Sequence, residues 1–250
     1  MTTSHPTPHA ATTDITRAPA PTEQDGAMTI AVLGATGMVG SRVVAEARAR
    51  GHRVLALARK PTSDDPCVTA VAVDAGDPRA LRAALTGSAA RLAADAVVVA
   101  LRTEPVDQEF LVGATRAVLA IAGPLGVPVL VVGGAGALRS PANPQLLVAD
   151  DPAYVPPAIR AVAAAGIAQL HACRADARGP WAYLCPPAQL NPGKRTGRYR
   201  RGTDTLLTDA DGASWISVED LSVAVLDEVE NPGPERLFTV AAGPVEPSAG

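Results

Sequence analysis

From residue 28 onward the chain alternates short apolar runs with longer amphipathic stretches. Residues 28–33, Met-Thr-Ile-Ala-Val-Leu, form the first run, and residues 53–58, 68–73, 95–100, 127–132 and 181–185 repeat the pattern. These runs are apolar at nearly every position, whereas a strand with one wet face would alternate. Such strands are covered on both sides, which parallel sheets require. Between them, residues 41–50, 78–85, 110–122 and 159–174 carry helical spacing, with Gly51 after the first helix and Gly123-Pro124 closing the third. Ser217 opens a last helix as its N-cap, with Asp220 as a variant capping-box acid, and residues 237–241 read as a final strand. Strand–helix alternation with right-handed crossovers predicts an α/β fold, a doubly wound parallel sheet of Rossmann order. Residues 139–157, rich in proline, read as a long loop, and residues 191–202 as a polar, basic loop.

Two terminal stretches fall outside this pattern. Residues 1–27 are rich in Thr, Pro, Ala and His, without apolar periodicity, and are expected to be disordered. Met28 stands directly before the first strand, so initiation at either Met1 or Met28 fits the sequence. Residues 243–250 are expected to fray. The folded part is thus expected to be one domain over residues 28–242.

Chemistry enters at Gly34-Ala35-Thr36-Gly37-Met38-Val39-Gly40, between the first strand and the first helix. Strand, glycine turn and helix together form a phosphate-binding context. Gly34 permits a tight turn, Gly37 lets a pyrophosphate approach the backbone, and Gly40 lets the helix pack close to the sheet. The first helical amides then face the anion. The spacing is G-x-x-G-x-x-G rather than the commoner G-x-G-x-x-G.

Further candidates follow later strands. Arg59 and Lys60 end the second strand, where an NAD-binding domain places an acid on the ribose hydroxyls. Cations there suit the 2′-phosphate of NADP, and Arg42 could add another; solvated surface charge is the competing reading. Asp74-Ala75 follows the third strand, beside the expected adenine position, although a turn or N-cap role fits Asp74 nearly as well. Ala100 and Leu101 close the fourth strand on the ribose and diphosphate side. Gly133-Gly134-Ala135-Gly136 follows the fifth, either as backbone that approaches the nicotinamide ribose or substrate or as a plain flexible turn. The basic loop from Lys194 to Arg201 reads either as solvated surface or as a cationic rim, centred on Arg195, that recruits an anionic acceptor such as FMN.

Composition narrows the classes. A net charge of −3 and a pI near 5.8 give no bulk attraction for nucleic acid. No apolar run reaches the roughly 18 residues of a membrane span, and residues 1–27 lack the pattern of a secretory signal. Three cysteines without C-x-x-C spacing read as reduced thiols of a cytoplasmic protein, with Cys185 a buried small hydrophobe. Four histidines show no ligand spacing, so no metal site is expected. No Tyr-x-x-x-Lys proton relay is present: Ala158 stands four residues after Tyr154, and Tyr183 lies in an apolar strand. The catalytic residues are therefore unassigned, and a bound cofactor would carry the chemistry.

Residues 28–242 resemble the atypical short-chain dehydrogenase/reductases of the NmrA-like and biliverdin-reductase-B-like type, closest to the bacterial NADH-flavin reductase-like group. The resemblance rests on Gly34-Ala35-Thr36-Gly37, Leu57-Ala58-Arg59, Val131 to Gly136, Asn191-Pro192-Gly193-Lys194-Arg195-Thr196-Gly197, and Ile216-Ser217-Val218-Glu219-Asp220-Leu221. It implies a Rossmann domain with a small C-terminal substrate lobe, NAD(P)H binding, and hydride transfer to flavin-like acceptors; with the cations Arg59 and Lys60, the leading reading is hydride transfer from NADPH to a flavin- or quinone-like acceptor. It carries cofactor contacts to Gly34, Thr36, Gly37, Met38, Val39 and Arg59, and places Pro186-Pro187-Ala188 near the nicotinamide. Ala137 stands where several relatives have Ser, which weakens any side-chain proton donor there. A dedicated enzyme for one metabolite and a non-catalytic NADP(H) sensor are the alternative readings of the same scaffold. The assembly is expected to be a monomer or homodimer.

Overall fold

The computed structural model describes residues 26–86 and 94–243. Most of the tail expected over residues 1–27, and nearly all of that over 243–250, lies outside the described residues. The elements in chain order are β1 (Thr29–Leu33), α1 (Met38–Ala49), β2 (Arg53–Ala58), β3 (Val68–Ala72), α2 (Pro78–Thr86), β4 (Ala96–Val99), α3 (Gln108–Ala122), β5 (Val129–Val132), α4 (Arg160–Arg174), β6 (Trp181–Cys185), β7 (Gln189–Asn191), β8 (Tyr199–Gly202), β9 (Trp215–Ser217), α5 (Val218–Glu230) and β10 (Leu237–Ala242).

The main sheet runs β3-β2-β1-β4-β5-β6-β10-β8. All neighbours in it are parallel except β8 against β10. Its first six members follow the doubly wound Rossmann order, which reverses direction between β1 and β4. A second, two-stranded parallel sheet, β7 with β9, forms a small lobe beyond β6.

Side-chain alternation along β1 shows how two cores form. Ile30 and Val32 face Val43 and Ala47 of α1 and Leu221 and Val225 of α5. Ala31 and Leu33 face Leu81 of α2, Val118 of α3 and Leu170 of α4. Successive residues of a strand point to opposite faces, so a strand apolar at every position must be sandwiched. With aromatics at only 3%, both layers are filled mainly by Ala, Val and Leu.

Three expectations are corrected. Helix α1 begins at Met38, inside the glycine motif, rather than at residue 41, because Gly37 in extended conformation serves as its N-cap. The stretch 191–202 is not wholly loop: it carries the end of β7 and all of β8. Ser217 does cap α5, accepting from the Asp220 amide at 3.0 Å. The Asp220 carboxylate, however, does not reach back in a capping box. It accepts from the Thr196 and Gly197 amides at 2.7 and 2.8 Å and from the Thr196 hydroxyl at 2.7 Å.

Candidate functional site

Because β1 to β6 are parallel, the turns that follow them gather at one edge of the sheet, the carboxyl edge. Ligands of open α/β sheets bind there, where the strand order reverses. The glycine turn occupies that reversal. Gly34 has φ +89°, and a Cβ on it would overlap the Ala100 carbonyl at the end of β4. A Cβ on Gly40 would overlap the Gly34 carbonyl, so α1 packs onto the turn only as glycine. A Cβ on Gly37 would stand 3.2 Å from the Gly34 oxygen, tight but without overlap. The amides of Gly34 and Ala35 both bond to the Leu57 carbonyl, at 2.9 and 3.2 Å, which fastens the turn to β2. No side chain caps α1. Its opening amides, including Met38 and Val39, therefore lack intrahelical partners and are available to an anion, with Thr36 in the turn just before them.

Arg59 and Lys60 lie two and three residues beyond Leu57, the anchor of that turn. Both are exposed, and neither has an ion pair among the described residues. Asp74 is exposed, and its Oδ1 accepts from the Gly76 amide at 2.9 Å in an Asx turn. The neighbouring Ala75 is buried. The N-terminal acid of α2 is Asp77, which accepts from the Arg79 amide at 2.9 Å. Ala100 and Leu101 are half-buried behind Gly34.

After β5, two of the three glycines answer to packing. A Cβ on Gly133 would overlap the Tyr183 hydroxyl, and one on Gly136 would lie 2.9 Å from the Ala163 Cβ of α4. Gly134 alone faces open space. Tyr183 is fully buried, its hydroxyl donating to the Gly166 carbonyl at 2.8 Å. Burial pushes its phenol well above the ordinary value, with Cys185 and Cys173 adding to the rise. It is therefore a core residue that props the β5 turn, as its place in an apolar strand suggested. Pro186 and Pro187 follow β6 and are buried, next along the edge from Gly133 and Gly134. Cys173 and Cys185 are also buried, and burial pushes both thiols up to about 12, so they stay protonated.

Unlike Arg59 and Lys60, the other basic residues singled out from the sequence, Arg42 and Arg195, are engaged elsewhere. Arg42 pairs with Glu219 of α5 at 3.3 Å, and Glu219 also accepts from the Gly193 amide at 2.7 Å. Arg195 holds Glu46 of α1 through two bonds of 2.7 and 2.8 Å. Arg50 joins that cluster, reaching Glu46 at 2.9 Å and Asp227 and Glu230 of α5 at 2.7 Å each. The Arg195 guanidinium, outweighing the burial that opposes it and joined by Arg50, holds the Glu46 carboxyl below its usual range. Arg201 pairs with Glu228 at 2.6 Å and lies over the Phe238 ring. Arg195 thus clasps the segment after β7 to α1, its side chain half-exposed and its charge matched by Glu46. Arg50 is an i,i+4 neighbour of Glu46, but Arg195 stands 149 residues away in the chain, a distance at which sequence patterning carries no signal.

Two surface cavities, about 130 and 370 Å3, flank His171 of α4 and have none of the glycine-turn residues in their walls. Among the described residues no three His, Cys, Asp or Glu side chains gather as a metal site, and no helix is long and apolar enough to cross a membrane.

An open parallel sheet with an uncapped helix and a glycine turn at its strand-order reversal defines a Rossmann-type dinucleotide-binding protein. Residues 34–232 match the model of a family described as NAD(P)H-binding, and the chain belongs to that family. The uncharacterized protein YwnB of Bacillus subtilis (strain 168) is 32% identical over 219 residues, spanning 86% of this chain and 99% of that protein. Two solved structures share the fold over nearly their whole length. A candidate exported protein from Burkholderia pseudomallei is 38% identical with a TM-score of 0.75, covering 86% of this chain and 99% of its own. A candidate NADH-flavin reductase from Streptococcus pneumoniae is 25% identical with a TM-score of 0.74, covering 86% and 100%.

Proposed function

We propose that the protein is a reductase that uses NADPH in preference to NADH and reduces a flat flavin- or quinone-like acceptor. The observation that carries this reading is the free pair Arg59 and Lys60 beside the glycine turn, while Arg42, Arg50, Arg195 and Arg201 are all ion-paired. The resemblance to a candidate NADH-flavin reductase supports the acceptor class.

Gly34, Thr36, Gly37, Met38 and Val39 cradle the pyrophosphate, with Ala100 and Leu101 behind it. Arg59 and Lys60 hold the 2′-phosphate, and Asp74 and Ala75 border the adenine, Asp74 keeping one carboxylate oxygen outside its Asx turn. Gly133, Gly134, Pro186 and Pro187 form the wall on the nicotinamide side. When bound, the reduced nicotinamide supplies a hydride. The chain's own part is to orient the two rings; neither Tyr183, which is buried, nor Ala137 offers them a side-chain proton donor.

A charge-assisted hydrogen bond is worth about 1.5–3 kcal/mol, or roughly ten- to a hundredfold in affinity. NADPH should therefore bind at least about tenfold tighter than NADH, and Arg59→Ala should remove most of that preference while leaving NADH nearly unchanged. Calorimetric titration of both proteins with both nucleotides checks this, and equal wild-type affinities would refute the NADPH preference. Steady-state NADPH oxidation with FMN, riboflavin and a quinone tests turnover, and no oxidation with any acceptor would leave a cofactor sensor as the reading.

A further inference from the structure

The chain contains only seven aromatic residues: two Trp, three Tyr and two Phe. Trp181, Tyr183 and Phe238 are buried, and Phe110, Tyr154 and Tyr199 are half-buried. Trp215 alone is exposed, at 41%. Its neighbour Ile216 is buried at 1%, so the two residues lie on opposite faces of β9.

Position gives this exposure meaning. In the β7–β9 pair Trp215 stands opposite Gln189, two residues beyond Pro187. The two strands are stitched there by the Gln189 amide, 2.9 Å from the Ser214 carbonyl. Trp215 is therefore anchored at the turn that follows β6. The adjacent turn, after β5, touches α4 where Gly136 meets Ala163, and Val162 beside it is 45% exposed. The strands β5 and β6 that lead into these two turns are hydrogen-bonded neighbours about 4.8 Å apart. Ile159, one residue before α4 begins, and Met38, at the start of α1, are also exposed at this edge. Of the five large exposed apolar side chains among the described residues, only Leu125 lies away from it, beyond the end of α3. An exposed indole at the edge where ligands of open α/β sheets bind offers an apolar binding surface. The main cation expected there, Arg195, is held by Glu46.

We propose that Trp215 is the stacking platform for the acceptor, and that with Val162 it selects a flat, conjugated ring by apolar contact rather than an anionic tail by charge. This rests on the reductase reading above for what the bound ring undergoes, but not for the binding itself. A planar ring laid on an indole removes apolar surface from water on both partners and gains the stacking preference of aromatic pairs.

The test is a binding titration that needs no turnover. Riboflavin emission, excited in the visible where the protein does not absorb, is followed as protein saturated with NADP+ is added. Stacking on the indole should quench it. Trp215→Ala should weaken riboflavin binding roughly tenfold or more and abolish the quenching. Trp215→Phe should stay within about threefold of wild type, and FMN and riboflavin should bind wild type within about threefold of each other. Unchanged affinity in Trp215→Ala, no riboflavin binding to wild type, or FMN binding far tighter than riboflavin overturns the proposal. So does conversion of a wild-type dimer to a monomer by Trp215→Ala with riboflavin affinity retained, which would assign the ring to a subunit contact. NADPH oxidation is measured separately: its absence with riboflavin binding intact refutes the reductase reading and leaves the platform standing.

Discussion

Gly37→Val is expected to abolish NADP(H) binding while leaving the fold in place. The three glycines of the turn differ in what a side chain would meet. At Gly34 and Gly40 a Cβ would overlap backbone oxygens that belong to the sheet and the turn, and Gly34 also sits at φ +89°. Substitutions there unfold the turn before any ligand is involved. Gly37 is extended, with φ −76° and ψ 171°, and its nearest clash is a 3.2 Å approach to the Gly34 oxygen. Valine fits that backbone at a cost of about 1–3 kcal/mol. In the proposed site its branched side chain would project where the phosphate meets the opening amides of α1. The Kd for NADPH should rise by at least about a hundredfold, or 2.7 kcal/mol. Calorimetry beside a thermal melt separates the two effects. A folded variant with unaltered NADPH affinity would place the nucleotide elsewhere.

The second large effect concerns Glu46. Alanine there leaves the Arg195 fork and one arm of Arg50 without their acid. Removing one partner of a buried pair costs about 3–5 kcal/mol, and the half-exposed Arg195 brings the expectation down to about 2–3 kcal/mol. In a chain of this size that corresponds to a fall of roughly 4–12 °C in Tm. The charge itself is tested with Glu46→Gln. Because the folded carboxyl titrates below its ordinary value of 4.5, its contribution is fully present above that pH. It is lost as pH falls through the lowered folded value. The gap in stability between wild type and Glu46→Gln should therefore be constant near neutrality and close in acid. A gap that persists undiminished at pH 3 would contradict the assignment.

How far the sequence reached follows from the range of the interactions. The strands β1, β2, β4, β5 and β6 were legible because a nearly continuous apolar run has one physical use; β3 has the same composition, but as the edge strand it has no buried residue, so the expected cover on both faces does not extend to it. The glycine turn was legible because its constraints lie within seven consecutive residues. Gly133 and Gly136 suggested a ligand, yet they are small chiefly to admit Tyr183 and Ala163, contacts made across the sheet edge. The strand β8 was hidden because Tyr199-Arg200-Arg201-Gly202 has the composition of a solvated loop. Its charges are absorbed by the Ala242 and Thr208 carbonyls, by Glu228 and by the Phe238 ring. Asp220 looked like a local cap and instead fastens a segment 24 residues away. Trp215 carried one faint signal, a lone aromatic between a polar stretch and a helix cap, which acquires weight only once the other six aromatics are seen to be buried or half-buried.

The clasp on α1 also bears on the order in which the molecule is made. Glu46 and Arg50 leave the ribosome long before their partners, which lie 149 to 180 residues later. At about 5–20 residues per second the delay is roughly ten to thirty seconds. During it, β1 to β5 have all been synthesised, while the outer face of α1 still lacks α5 and the Arg195 segment. Glu46 and Arg50 therefore meet their distant partners only when the last third of the chain closes over α1.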